Sequence, residues 1–175
     1  MTHILKAIVT ASFAVLLPLA ALAQQGSGLA LSSGKPVQID GDKLEIFEND
    51  GKAIFTGAVS VVQDDTILRT SKLTIFYAKG GEGSIATGAA DIDRLLATGG
   101  VNIQSGKQVA TGETGTYDMK TEVFVLSGKR VTLSEDGNVA TGCKLTVTQT
   151  SGRAKLEGCG NTSRPTVLIQ PKNKN

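Results

Sequence analysis

The chain has 175 residues, 40% of them hydrophobic, with 18 basic and 16 acidic side chains and a single histidine. That histidine, His3, lies with Lys6 in an amino-terminal stretch that reads as an export signal, so the working chain has nearly balanced charge and no imidazole. Histidine-based catalysis, a histidine metal site and a histidine pH switch are excluded, and no basic footprint for nucleic acid remains.

In chain order, Lys6 precedes an apolar run over residues 7–20, and Ala21-Leu22-Ala23 supplies a small-x-small cleavage site. Residues 1–23 are therefore expected to be a cleaved secretory signal. Counted to Ala23 the stretch is at the lower limit for a membrane span and is interrupted by Pro18; if retained, it would anchor the protein in the inner membrane. Residues 24–34 read as a flexible lead-in, 35–170 as one folded domain and 171–175 as a polar tail.

All 21 glycines follow the leader. Several mark a repeat: Ser33-Gly34 with Val37, Thr56-Gly57 with Val59, Thr98-Gly99 with Val101, and Ser127-Gly128 with Val131. Each unit has a second half: Lys43-Leu44-Glu45-Ile46, Lys72-Leu73-Thr74-Ile75 and Lys144-Leu145-Thr146-Val147, with Thr114-Gly115-Thr116-Tyr117 a weaker copy. A unit reads as two short strands separated by a turn. The longest spacing holds a glycine-rich insertion at residues 79–93, whose Lys79-Gly80-Gly81-Glu82-Gly83 lacks the Lys-Ser/Thr and helix of a phosphate cradle.

Alternation supports strands throughout. Leu73, Ile75 and Tyr77 alternate with Lys72, Thr74 and Phe76, and Val131 and Leu133 alternate with Thr132 and Ser134. Asn49-Asp50-Gly51 and Glu135-Asp136-Gly137-Asn138 are turn sequences; a three-residue loop over 49–51 would set Ile46 opposite Ile54. No helical periodicity persists beyond one or two turns. The expected class is all-β, a meander of hairpins that closes as a sandwich, a jelly roll or a barrel, or stacks as a solenoid. Phe76 beside Ile75, and Phe124 and Leu126 beside Val123 and Val125, leave both faces partly apolar. Ordinary burial between sheets explains this, and so does an interior wide enough for an apolar ligand.

Cys143 and Cys159 are expected to be bridged in an oxidising compartment. A hairpin symmetric about Ser151 sets the two cysteines opposite each other but pairs Leu145 with Glu157. Sliding by one residue pairs Leu145 with Leu156, and a bulge near Gly158 reconciles the two registers.

The run Pro36-Val37-Gln38-Ile39-Asp40, then Leu44 to Phe47, then Ala53-Ile54-Phe55-Thr56-Gly57-Ala58-Val59, and Lys72-Leu73 ahead of Tyr77, with Tyr117-Asp118 and Val123-Phe124-Val125-Leu126-Ser127-Gly128 as later copies, resembles the LptA/OstA family of periplasmic lipopolysaccharide-transport proteins. The resemblance implies an open, twisted β-jellyroll built from repeated short antiparallel strand pairs, located in the periplasm of a Gram-negative bacterium. It implies an apolar groove for the acyl chains of lipopolysaccharide, to which we assign Val37, Ile39, Leu44, Ile46, Phe55, Val59, Leu73, Ile75, Tyr117, Leu126 and Leu145 by alternation and by match to the family's early strands. It also implies head-to-tail self-association through an amino-terminal strand at 37–39 (Val37, Ile39) and a carboxy-terminal strand at 166–169 (Val167, Ile169). The implied partners are an inner-membrane lipopolysaccharide extractor of jellyroll type and an outer-membrane lipopolysaccharide translocon. No cofactor, metal or enzymatic activity is expected.

The carrier role has a physical basis. An acyl chain of about a dozen carbons costs roughly 10 kcal/mol to expose to water, so crossing an aqueous gap requires an apolar groove and no covalent chemistry. The rival reading from another class is a structural β-repeat envelope protein, a filament or adhesin subunit with a packed core. Asp64-Asp65, and Asp91 with Asp93, are read as turn residues rather than a Ca²⁺ site. Asn161-Thr162-Ser163 is read as a chance sequon, and Lys172 and Lys174 as a solvated end.

Overall fold

The structure, a computed structural model, describes residues 29, 31, 35–78, 85, 90–160 and 163–171. The expected leader, Ser33-Gly34, Lys79-Gly80-Gly81-Glu82-Gly83, the Asn161-Thr162 part of the sequon, and Lys172 and Lys174 lie outside the described residues.

Alternating apolar and polar residues between turn signals produce strands almost everywhere. They are β1 (Gln38–Asp40), β2 (Lys43–Phe47), β3 (Lys52–Gln63), β4 (Thr66–Tyr77), β5 (Ile92–Ser105), β6 (Gln108–Asp118), β7 (Val123–Glu135), β8 (Asn138–Thr148), β9 (Arg153–Glu157) and β10 (Thr166–Leu168). All join one antiparallel sheet in which β3 to β8 lie in sequence order. At one edge β1 and β2 lie end to end along β3, with Ile39 opposite Val61 and Leu44 opposite Phe55. At the other, β10 and β9 divide β8 in the same way, with Val167 opposite Ala140 and Leu156 opposite Leu145.

The long strands each break register near the middle, between Thr56 and Val59, Thr70 and Lys72, Thr98 and Val101, Thr111 and Thr114, and Ser127 and Val131. A bulge bends its strand and increases the local twist. Five in a row crease the whole sheet into a β1/β10 half and a β2/β9 half, whose inner faces share one core. Three of the repeat glycines, Gly57, Gly99 and Gly128, sit on this crease. Gly57 has φ +76°, and a Cβ there would collide with the Asp42 side chain; at Gly128 a Cβ would come 2.9 Å from the Glu113 backbone nitrogen. Each is a place where only glycine lets the chains approach.

Three repeats therefore hold as expected: each starts at the crease, turns at Asp64-Asp65, Gly106-Lys107 or Asp136-Gly137, and returns across the crease into the other half. The first copy departs, since β1 and β2 follow one strand rather than forming a hairpin. The Ile46 pairing also needs correction. Residues 48–51 form a four-residue connection, in which Glu48–Asp50 make a 3₁₀ turn closed by Gly51 at φ +61°, so Ile46 faces Ala53 and Glu45 faces Ile54. That one extra loop residue moves the register by one.

Candidate functional site

The crease brings three apolar rows onto the inner face. In the β2/β9 half, Leu44, Phe55, Leu73, Ala97, Gly115, Leu126, Leu145 and Leu156 form one row, and Ile46, Ala53, Ile75, Leu95, Tyr117, Phe124, Val147 and Ala154 the next. In the β1/β10 half the row is Ile39, Val61, Leu68, Ile103, Ala110, Leu133, Ala140 and Val167. No charged residue stands in any of them. The outer rows carry Lys, Thr and Glu, as in Lys43, Thr56, Lys72, Thr98, Thr114, Ser127, Lys144 and Glu157.

The two-sided apolar pattern is thereby resolved: Phe124 and Leu126 point inward, and Val123 and Val125 are half-buried on the outside. Phe76 is also outside, covered by the Arg94 guanidinium 4.3 Å from its ring centre.

Of the groove residues proposed from sequence, Val59, Leu73, Ile75, Tyr117, Leu126 and Leu145 are buried in the core. Ile39, Ile46 and Phe55 are half-buried against it, whereas Leu44 and Val37 are exposed at the β1 and β2 edges. Val37, Ile39, Phe55 and Ile75 converge on an open cavity of about 460 Å³, together with Ile92, Leu95 and Met119. Tyr117 and Leu73 lie deeper, where the two halves face each other across Val61, Leu68 and Ile103. These half-sheet partners from β3, β4 and β5 were not singled out from the sequence. Their signal is the same alternation, hidden because Val61-Val62 and Ile67-Leu68 put apolar residues on both faces. Leu29 and Leu31 were missed as well: in the stretch expected to be a flexible lead-in, they are only 1% and 4% exposed.

The two ends of the interior differ. At the end of the β1/β10 half the inner face turns polar: Thr66 Oγ1 donates to Ser105 Oγ at 3.0 Å, and Gln63 Nε2 to the Lys35 carbonyl at 3.2 Å. Gln108 Nε2 donates to Glu135 Oε2 at 3.2 Å, while its buried Oε1 has no partner among the described residues. At the end of the β2/β9 half stand two tyrosines, Tyr77 donating to Glu48 Oε2 and Tyr117 to Gln149 Oε1, each at 3.1 Å. Burial, reinforced by Glu122 and Asp118, pushes the Tyr117 phenol up to about 12; burial and Glu48 raise Tyr77. Both are neutral donors at any physiological pH, so each phenol keeps its proton to donate at this end of the apolar interior.

The edges complete the site. The strands expected at 37–39 and 166–169 lie at Gln38–Asp40 and Thr166–Leu168, so Val37 precedes β1 and Ile169 follows β10. Val167 is 59% exposed and Ile169 71%. Cys143 and Cys159 form a disulfide with Cα atoms 5.1 Å apart while Leu145 pairs with Leu156. The pairing puts Gly158, not Cys159, next in register across from Cys143, the one-residue offset that a bulge near Gly158 supplies. Asp64 receives an ion pair from Lys35, and among the described residues no group of three or more Asp, Glu, His or Cys side chains could hold a metal.

The family model described as "LptA/(LptD N-terminal domain) LPS transport protein" matches residues 38–153. An uncharacterized protein of Rhizobium meliloti (strain 1021) is 46% identical over 165 residues, covering 92% of this chain and 87% of that one. A Rhizobium etli protein, described as encoded in the 5′ region of an rpoN-linked probable transport protein, is 47% identical over 47 residues, 27% of this chain and 83% of its own length. Among solved structures, LptH of Pseudomonas aeruginosa, described as the LptA-homologous periplasmic component of the lipopolysaccharide transport device, superposes with a TM-score of 0.63 at 19% identity. The superposition covers 78% of this chain and 96% of LptH, and it shows a shared fold. With a creased all-β sheet, an apolar inner face and a family match over most of the folded domain, the chain belongs to the LptA/LptD N-terminal domain family of lipopolysaccharide transport proteins.

Proposed function

We propose that this protein binds the acyl chains of lipopolysaccharide between its two half-sheets and carries them across the periplasm, as part of a bridge from an inner-membrane extractor to an outer-membrane translocon. The observation that carries this reading is the set of uncharged inner rows running across eight strand segments and opening at the Val37, Ile39 and Phe55 cavity. Such a surface replaces water around an alkyl chain at about 0.8 kcal/mol per CH₂. The exposed, sparsely charged β1 and β10 strands support end-to-end strand addition between copies or with jellyroll partners. A cleaved leader would deliver the chain to the periplasm; sequencing the mature amino terminus separates this from an anchored member of the same pathway, which would keep Lys6.

Gently purified protein should release lipid A species in mass spectrometry and should accept labelled lipopolysaccharide from vesicles. Absence of both would overturn the reading. The packed-core structural protein is favoured by one observation: the space around Tyr117, Leu73 and Val61 is nearly filled, with about 10 Å³ free. Ile39→Glu divides the two, because a carrier loses lipid loading while staying folded and a dry core unfolds.

A further inference from the structure

The cavity of about 460 Å³ on which Val37, Ile39, Phe55 and Ile75 converge is apolar in all its described lining but one place. Lys35 is the single charged residue there. More than half of its side chain is in water, and Nζ donates to Asp64 Oδ2 at 2.5 Å. A lysine so placed holds its ammonium at the boundary between an apolar space and solvent. The hydrogen bond to Asp64, then the Asp64 charge, raise Lys35 above the ordinary ammonium value, so it stays charged at physiological pH. Asp64 takes one of three N–H groups, and among the described residues nothing takes the other two.

The sheet supplies a comparison for this pair. Lys107 meets Asp136 at 3.3 Å, and both pairs join residues 29 positions apart. Both aspartates are turn residues of positive φ, +51° at Asp64 and +48° at Asp136. Lys107 does not line the cavity. Exposed ion pairs of this kind add little stability. What sets Lys35 apart from Lys107 is the apolar space beside it.

We infer that Lys35 is a specificity-determining residue, which selects amphiphiles with a phosphate headgroup by offering it the N–H groups that Asp64 leaves free. This rests on the carrier reading above, since an alkyl chain must enter the cavity, and adds which headgroup can follow it. A phosphate cannot go in with the chain, because removing its charge from water costs more than burying the chain returns. It therefore stays at the boundary, where a charge-assisted hydrogen bond is about twice as strong as a neutral one. The Asp64 carboxylate is the charge that opposes it.

The test uses the full oxidised chain and two probes with the same tail, monododecyl phosphate and the neutral dodecyl maltoside, each titrated below its micelle concentration, with lipid A alongside. The unmodified chain should prefer the phosphate by about fivefold or more, the worth of one close charge pair in water. Lys35→Gln should bring the ratio down to about one. Asp64→Asn keeps the side-chain shape and tolerates the same backbone conformation, and it should raise the ratio about fivefold. Lys107→Gln removes the same charge away from the cavity and should leave the ratio where it was. A preference that survives Lys35→Gln would overturn the inference, and so would an equal fall in Lys107→Gln, which is what net charge alone produces. If Lys35→Gln loses its circular dichroism spectrum, Asp64→Asn decides, because an unchanged ratio there refutes the role of Lys35. A Lys35-dependent preference in a chain that never takes lipid A would leave the inference standing and refute the lipopolysaccharide reading. Lipid A loading by a chain indifferent to the phosphate would do the reverse.

Discussion

The two halves of the creased sheet are built from the same six long strands, yet they end differently. The β2/β9 half is bordered by charged strands: Lys43 pairs with Glu45 at 2.9 Å on β2, and Lys155 with Glu157 at 2.9 Å on β9, beside Arg153. It is also closed by the disulfide just beyond β9. The β1/β10 half is bordered by three-residue strands, of which β10 is uncharged and fully exposed. Charges on an edge strand oppose pairing with another chain, and their absence permits it. The comparison teaches that β2 and β9 carry charges that oppose strand addition, whereas β10 carries none.

The largest effect should come from the shared interior, where the edge distinction fades. Leu126→Ala, at a fully buried inner-row position, should cost about 3 kcal/mol in urea unfolding, whereas Leu44→Ala, at the exposed β2 edge, should cost less than about 1 kcal/mol. Similar losses at both would mean that the edge is as tightly packed as the centre.

Replacing both cysteines by serine should cost up to about 3 kcal/mol. Hydrogen exchange should show the loss of protection concentrated in β9, with β1 unaffected. Uniform loss would deny that the disulfide closes one half in particular.

Edge charges give a smaller and more selective effect. Val167→Lys should abolish concentration-dependent association in sedimentation velocity while changing stability by no more than about 0.5 kcal/mol. Lys155→Val on β9 should create association where none is expected. If Val167→Lys still associates, β10 is not the joining strand.

The smallest effect appears only in alkali. Tyr77 and Tyr117, the only tyrosines of the chain, are both raised above the ordinary phenol value and both sit in the β2/β9 half. A raised phenol favours the folded state fully below the unfolded value near 10. That contribution is lost as pH rises toward the Tyr117 value of about 12. Absorbance at 295 nm should show Tyr117 titrating last, with unfolding following it; ionisation of both at pH 10 would deny the burial.

Much of this was legible along the chain. Alternation put Leu73, Ile75 and Tyr77 on one face, and the structure keeps them there. The repeated Thr-Gly and Ser-Gly pairs announced a periodic backbone event, although not that the event was a crease. The offset between Leu145 facing Leu156 and Cys143 meeting Cys159 could be worked out from the hairpin alone, because both constraints act within one turn. The Ile46 register could not, since it depended on whether Glu48 joined the loop or the strand.

What the sequence determined by itself was local and periodic: strands, turns, the inward face of most of them, and the family, because a two-residue period and glycine punctuation are properties of neighbouring residues. Only the tertiary structure decided that five bulges align into one crease, that two halves of one sheet share an interior, and that Leu29 and Leu31 lie within it. Those facts depend on how distant segments stack, and no short-range pattern encodes which apolar side chain will fill a space that other strands enclose.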